Sequence, residues 1–247
     1  MGRLDVGAVF RRLRDAWKPA PALEPQVPYP PREFMEYVNG PAEDQLAVFQ
    51  YAGPFLADMV AAEDMLGEGV RFLDIGSGCG RLARHLLDRP LAGYTGFDRH
   101  RGMVEWCQAH IQPLKPNFAF HHFALASAYD VWDKQPGGGD ASRFRFPFEA
   151  EAFDRIFLSS VFTHMPIGEI ENYLREMLRV LSARGRVLLS VFQSDGAPYI
   201  RDEINFFYPE QAYLDLFRET GFDSKLLFVL GHEAYRQYFY ALTKQVP

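Results

Sequence analysis

Residues 70–81 read VRFLDIGSGCGR: a short apolar run closed by an acid, then three glycines at alternate positions. Few segments restrict a fold as tightly. The run 70–75 predicts a buried strand and residues 81–87 predict a helix. A glycine-dense turn between them lets backbone approach a ligand and aims helix N–H groups at it. The spacing decides which ligand. A dinucleotide fingerprint needs a glycine at position 81, and Arg81 stands there. Asp74, at the strand's end, suits a cation and repels a pyrophosphate. An NAD(P)-dependent oxidoreductase is therefore the weaker reading of this turn.

The rest of the chain repeats the strand–helix alternation. Strands are expected at 94–97, 118–125, 153–158 and 186–192, with helices at 103–111 and 167–181. Within 167–181, Ile170, Leu174, Met177, Leu178 and Leu181 share one face. The run 186–192 is almost wholly apolar, as a strand buried on both faces should be. A helix at 209–220 stops at Gly221, a residue suited to a left-handed cap. Two strands near 222–230 and 236–243 close the chain as a hairpin. The expected fold is α/β: Rossmann-like and doubly wound, with a mostly parallel seven-stranded sheet. A C-terminal antiparallel hairpin completes the sheet, and helices cover both faces.

Two segments stand outside that pattern. In 1–31, Val6, Val9, Phe10, Leu13 and Trp17 recur at helical spacing among Arg11, Arg12, Arg14 and Lys18, followed by six prolines between 19 and 31. This predicts a basic amphipathic helix and an extended linker. The helix either docks its apolar face on protein or makes a peripheral membrane contact. Residues 32–247 form the expected domain, with a helical region at 41–66 and an insert at 126–150 that carries three consecutive glycines. A net charge of −6 disfavours a broad nucleic-acid surface. Cys79 and Cys107 make no disulfide framework. No membrane-length apolar run and no secretory signal are evident, so the cytoplasm is expected. Oligomeric state is left open.

Asp98 ends the second strand, about 20 residues beyond the glycine turn. There a carboxylate accepts both hydroxyls of a ribose. The plainer alternative is a cap on the following helix.

Taken together, VRFLDIGSGCGRLARHL, YTGFDRHRGMVEWC, FDRIFLSSVFTHM and YLREMLRVLSARGRVLLSVF resemble the class I S-adenosylmethionine-dependent methyltransferases. The segment SSVFTHM resembles small-molecule and glycan-related members. The resemblance implies S-adenosylmethionine as cofactor and S-adenosylhomocysteine as product. It implies that Asp74, Gly76, Ser77, Gly78 and Gly80 line the methionine part and that Asp98 holds the ribose. Arg99 and Met103 would flank the adenine, with a backbone contact at Ala126. Ser159 and Ser160 would place carbonyls near the amino group. Position 126 departs from the family, which commonly has an acidic residue before a small one in this loop. The implied activity is methyl transfer to an O or N atom of a small molecule or a glycan or glycolipid precursor. A SAM-binding regulatory or scaffold protein without transfer chemistry is the alternative.

His164, just beyond the fourth strand, is the candidate catalytic base or acceptor-positioning group; bonding to local backbone is its structural alternative. Tyr199, Phe207 and Tyr208, with Phe206, are candidates for an acceptor-pocket wall, or else core. Tyr51 is a candidate for closing a helix over the cofactor. Arg143 and Arg145 would recognise an acceptor or sit on an exposed edge. His121 and His122 point to opposite faces of a strand and cannot chelate one ion together. No carboxylate–histidine cluster has ligand spacing, so the reaction is expected to be metal-independent.

Overall fold

A computed structural model describes residues 27–40, 42–128, 130, 138–231 and 235–246. The expected basic helix and His232 lie outside the described residues. Residues 27–31 are not a free linker. Val27 is buried, and Arg84 donates to its carbonyl (2.6 Å) while its guanidinium lies 4.6 Å from the centre of the Tyr29 ring.

Five strands form the parallel core: β1 (Arg71–Ile75), β2 (Gly93–Asp98), β3 (Phe118–His122), β4 (Phe153–Leu158) and β5 (Leu181–Ser194). Their order is β3-β2-β1-β4-β5. Along β5 runs antiparallel β9 (Gln237–Lys244), and β8 (Phe222–Leu230) pairs with β9. The helices are α1 (Arg32–Asn39), α2 (Gln45–Ala62), α3 (Arg101–His110), α4 (Ile167–Val180) and α5 (Glu210–Glu219).

The period-2 alternation of each strand splits the core into two layers. Leu73, Ile156, Leu189 and Val191 face α4 and α5 through Leu174, Met177 and Phe217. Phe72, Tyr94, Phe157 and Leu188 face α2 and α3 through Leu56, Val60 and Val104. This is the expected doubly wound arrangement.

Three departures from the expected elements have physical causes. Residues 81–87 form turns and a short 3-10 segment, Ala83–His85, rather than a regular helix. His85 is half-buried there, packed against α2: a Cβ at Gly53 would lie 2.5 Å from its Nε2, and burial pushes its pKa down to about 4. Helix α1 was not expected after so many prolines.

The third departure is an extra hairpin, β6 (Tyr199–Arg201) with β7 (Asn205–Pro209), which raises the strand count to nine among the described residues. β4 ends where Leu158 meets Leu189, but β5 continues. At Phe192, β9 holds one edge through Gln237 and β7 the other through Phe207. The hairpin thus occupies the edge that β4 vacates, at the carboxyl end of the sheet.

Candidate functional site

The carboxyl ends of β1, β2 and β4 open into one cleft of about 1100 Å³, counting its solvent-filled mouth. In an open α/β sheet this is where ligands bind, at the point where strand order reverses. β1 is that point here, with β2 on one side and β4 on the other.

The glycine turn forms the floor. The Gly76 and Ser77 amides donate to the Phe97 carbonyl (2.9 and 3.0 Å), which fastens the turn to β2. Gly76 has φ +73, and a Cβ there would sit 2.4 Å from Val161 Cγ2, so only glycine fits. Gly80 has φ +74 for another reason: a Cβ would lie 2.3 Å from Ile111 Cδ1. Gly80 lets the turn pack on α3 and does not line the cleft, which corrects its expected contact with the methionine part.

Asp74 is buried and accepts a hydrogen bond from the Tyr94 hydroxyl. Burial pushes it up to about 7, against the opposing effect of that bond, while the neighbouring Asp98 raises it further. Asp98 accepts from the Gly78 amide (2.8 Å) and from the His100 amide (2.8 Å), so it ties the turn to the start of α3. Burial raises its pKa too, opposed by those amides. Each carboxylate oxygen has two lone pairs, so both bonds leave acceptor capacity toward the cleft. The cap and ligand readings of Asp98 are therefore compatible.

Met103 is fully buried and lines the cleft beside Asp98. Arg99 donates to the Leu125 carbonyl (3.1 Å) and the Tyr37 hydroxyl (3.1 Å), and pairs with Asp130. The loop after β3 is pinned to the glycines of the insert. Gly139 N donates to Ala124 O (2.9 Å), and Ala126 N donates to Gly139 O (3.0 Å). A Cβ at Gly138 would fall 2.1 Å from Ala124 backbone, which accounts for glycine at that point of the insert. Ala126 thus lines the cleft with its N–H already satisfied; a backbone contact to a ligand from that donor is not available.

Ser159 and Ser160 line the cleft beyond β4. Ser160 holds φ +59, a strained conformation for a residue with a Cβ. Its amide donates to Ser190 Oγ (2.9 Å), and its hydroxyl accepts from the Gln237 side-chain amide (2.9 Å). Both bonds hold the strained turn.

His164 also reaches the cleft, from the 3-10 segment Phe162–His164. Its Nδ1 lies 3.0 Å from the Ile204 carbonyl, in the β6–β7 turn. A carbonyl only accepts, so Nδ1 carries the hydrogen and Nε2 is the basic nitrogen. Burial pushes the ring down to about 4. It is neutral at neutral pH and a weak base.

The expected aromatic wall is displaced. Tyr199, Phe207 and Tyr208 do not line the cleft. Phe207 is buried between Phe192 (4.8 Å between centroids) and Tyr199 (4.6 Å). Tyr208 accepts the Ile167 amide (2.9 Å) at the start of α4. These rings stabilise the hairpin that orients His164. Tyr51 stacks on Phe55 of its own helix, Arg143 and Arg145 are exposed outside the cleft, and Asp154 grips Arg71 (2.9 Å) as a structural pair.

Tyr37, Val38, Glu169 and Tyr173 are among the cleft residues that were not foreseen. Arg81, used above only as a non-glycine, brings in the first two. It is half-buried and donates to Val38 O (3.0 Å) and Asn39 Oδ1 (3.0 Å), clamping α1 over the turn. Glu169 and Tyr173 lie one turn apart on α4, and Glu169 has its pKa pushed up to about 7 by burial, with Asp140 adding to the rise.

The region from β1 to β5 matches a family model described as a methyltransferase domain, over residues 73–189. Residues 73–189 are thus similar to a methyltransferase domain. Solved structures share the fold around it. Magnesium protoporphyrin IX methyltransferase from Synechocystis PCC 6803, solved with S-adenosylhomocysteine, is 14% identical, with a TM-score of 0.60 over 86% of this chain and 94% of that one. The 1,6-didemethyltoxoflavin-N1-methyltransferase of Burkholderia thailandensis is 18% identical, with a TM-score of 0.57 over 93% and 94%. A SAM-dependent methyltransferase from Methanosarcina mazei is 15% identical, with a TM-score of 0.57 over 76% and 98%. These likenesses establish a class I methyltransferase fold. Among the described residues no helix is long and apolar enough to cross a membrane, and no three His, Cys, Asp or Glu residues group as metal ligands.

Proposed function

We propose that the chain is an S-adenosylmethionine-dependent methyltransferase acting on an O or N atom of a small molecule or a glycan or glycolipid precursor. The observation that carries this reading is one cleft, built mainly from the region similar to a methyltransferase domain, that joins the Asp74 glycine turn to Asp98 on the adjacent strand.

The residues fit the cofactor. Asp74 and Asp98 are buried carboxyl groups whose ionised forms are disfavoured by burial, which a cationic ligand relieves. The Ser77 hydroxyl is buried without a protein partner, and Ser77 lines the cleft. Asp74, Ser77 and the Gly76–Gly78 backbone would hold the amino-acid part. Asp98 would accept the ribose hydroxyls, and Met103 with the Arg99 side chain would flank the adenine. When bound, S-adenosylmethionine supplies a methyl carbon on a good leaving group and departs as S-adenosylhomocysteine.

The protein's own task is then alignment and desolvation of the nucleophile. α1 covers the cofactor half through Tyr37 and Val38. His164, oriented by Ile204, presents Nε2 as a neutral acceptor that positions the incoming group. Calorimetric titration with S-adenosylhomocysteine tests the reading, with Asp98→Ala and NAD as controls. Micromolar binding, lost in the variant and absent for NAD, is expected. NAD binding in place of S-adenosylhomocysteine refutes it.

A further inference from the structure

We propose that Glu169 is the proton acceptor for methyl transfer, and that the acceptor substrate presents an amine or hydroxyl there with no anionic group beside it. This rests on the function proposed above and assigns the acceptor end of the same cleft.

The cleft has two chemically different halves. Its arginines, Arg81 and Arg99, stand at the cofactor half and are engaged by Val38, Asn39, Leu125 and Asp130. Beyond Ser160 the lining consists of Val161, His164, Met165, Glu169 and Tyr173, with Ala141 from the insert. Glu169 is the one residue of formal charge among them, and His164 is neutral. A carboxylate placed so, with no lining cation beside it, favours a hydrogen-bond donor or a cation and repels an anion.

Glu169 is also positioned firmly. It sits in the first turn of α4, its amide donating to Pro166 O (3.0 Å). Asn172, three residues on, fastens that helix to the insert through Ala141 O and Phe144 O (both 2.9 Å). The groups that act on Glu169 come from three elements. Asp140 of the insert raises its pKa. Tyr173 of α4 and Tyr208 of β7, raised chiefly by burial, are raised further by its charge. Arg143 is paired with Asp140 (3.8 Å). A helix N-terminus ordinarily lowers a carboxylate, so burial and Asp140 overcome the dipole here. The result is a base poised near neutral pH, where general-base efficiency is greatest.

The balance is simple. The nucleophile's proton passes to the Glu169 carboxylate as its electron pair forms the new bond to the methyl carbon. The carbon–sulfur pair stays on the sulfur of the departing thioether. Glu169 then returns the proton to solvent through the open mouth.

The test uses the full chain and its E169Q variant, each saturated with S-adenosylhomocysteine, with thermal unfolding confirming that the variant is folded. Benzylamine, benzyl alcohol and benzoate are titrated into both at pH 7.5 by ligand-observed NMR. Benzylamine or benzyl alcohol should bind at least tenfold more tightly than benzoate, and E169Q should abolish the preference; the two binders separate an amine site from a hydroxyl site. In protein labelled with carboxyl-13C glutamate, one resonance absent from E169Q should titrate near pH 7. Failure to bind S-adenosylhomocysteine overturns both this inference and the cofactor reading. With S-adenosylhomocysteine bound, this inference alone is overturned in any of three cases: benzoate binds as tightly as the others, none of the three binds, or Glu169 titrates near 4.5.

Discussion

Replacing Asp74 by asparagine should stabilise the free protein and weaken its ligand affinity. Asp74 is 3% exposed, and burial raises it from an ordinary 3.8 to about 7. A raised folded-state value means that the folded protein binds more protons than the unfolded chain between those two values. Stability therefore falls as pH rises from about 4 to 7 and levels off above. One unit is worth about 1.4 kcal/mol, so ionising Asp74 costs roughly 4 kcal/mol by pH 8, of which about 2–3 kcal/mol develops between pH 5 and 8. The asparagine side chain keeps an oxygen to accept the Tyr94 hydroxyl and has no charge to bury. In urea unfolding at pH 5, 6.5 and 8, the stability of Asp74→Asn relative to wild type should climb by that 2–3 kcal/mol with an unchanged m-value. In the wild type, S-adenosylmethionine affinity should rise with pH over the same window, because its cationic groups favour the ionised carboxylate; the variant should bind weakly at every pH. A stability difference that is flat with pH refutes the reasoning, since it means Asp74 titrates below the window.

Two further outcomes follow from the clamp and the histidine. Arg81→Ala removes both bonds to α1 and should weaken S-adenosylhomocysteine binding about tenfold or more, on the scale of one to two lost charged hydrogen bonds; limited proteolysis should then cut within residues 32–40, and an uncut segment with unchanged affinity shows that α1 is held by other means. For His164, 15N spectra at pH 6.5 should show a neutral ring protonated at Nδ1, with protonation only near pH 4; an imidazolium at pH 6.5 contradicts the burial argument.

What the sequence disclosed and what it hid divide along physical lines. β1, β4 and β5 were legible because strands in the middle of the sheet leave short, mostly apolar runs. The glycine turn and Asp98 were legible because their spacing is imposed by two adjacent strand ends. α1 was not, since REFMEYVN is short and follows prolines, and it is held by tertiary contacts: Met35 packed with Phe49, Cys79 and Met103, and Arg81 reaching across to its C-terminal end. The β6–β7 hairpin was hidden because its strands owe their place to the overhang of β5, a feature of register rather than of pattern. Tyr199, Phe207 and Tyr208 were sensed as a cluster but placed in the wrong wall. Glu169 looked like an ordinary acidic residue in a helix's first turn; only the approach of the insert, through Asp140 and Asn172, turns that position into part of a cleft.

The electrostatics of the three carboxyl groups bear on what the cleft selects. Asp74, Asp98 and Glu169 are all raised, and in each the first cause is burial. An anionic ligand would raise all three further and would find both lining arginines already engaged with α1, the β3 loop and Asp130. A cation offsets the burial penalty instead, and the two halves of the cleft divide that gain. Asp74 and Asp98 face the part built on strand ends, where backbone amides fix the turn and Asp98. Glu169 faces the part built on α4 and the insert, where little else is charged. The cofactor end is thus rigid by virtue of the sheet, while the identity of the acceptor is set by elements that the sheet does not constrain.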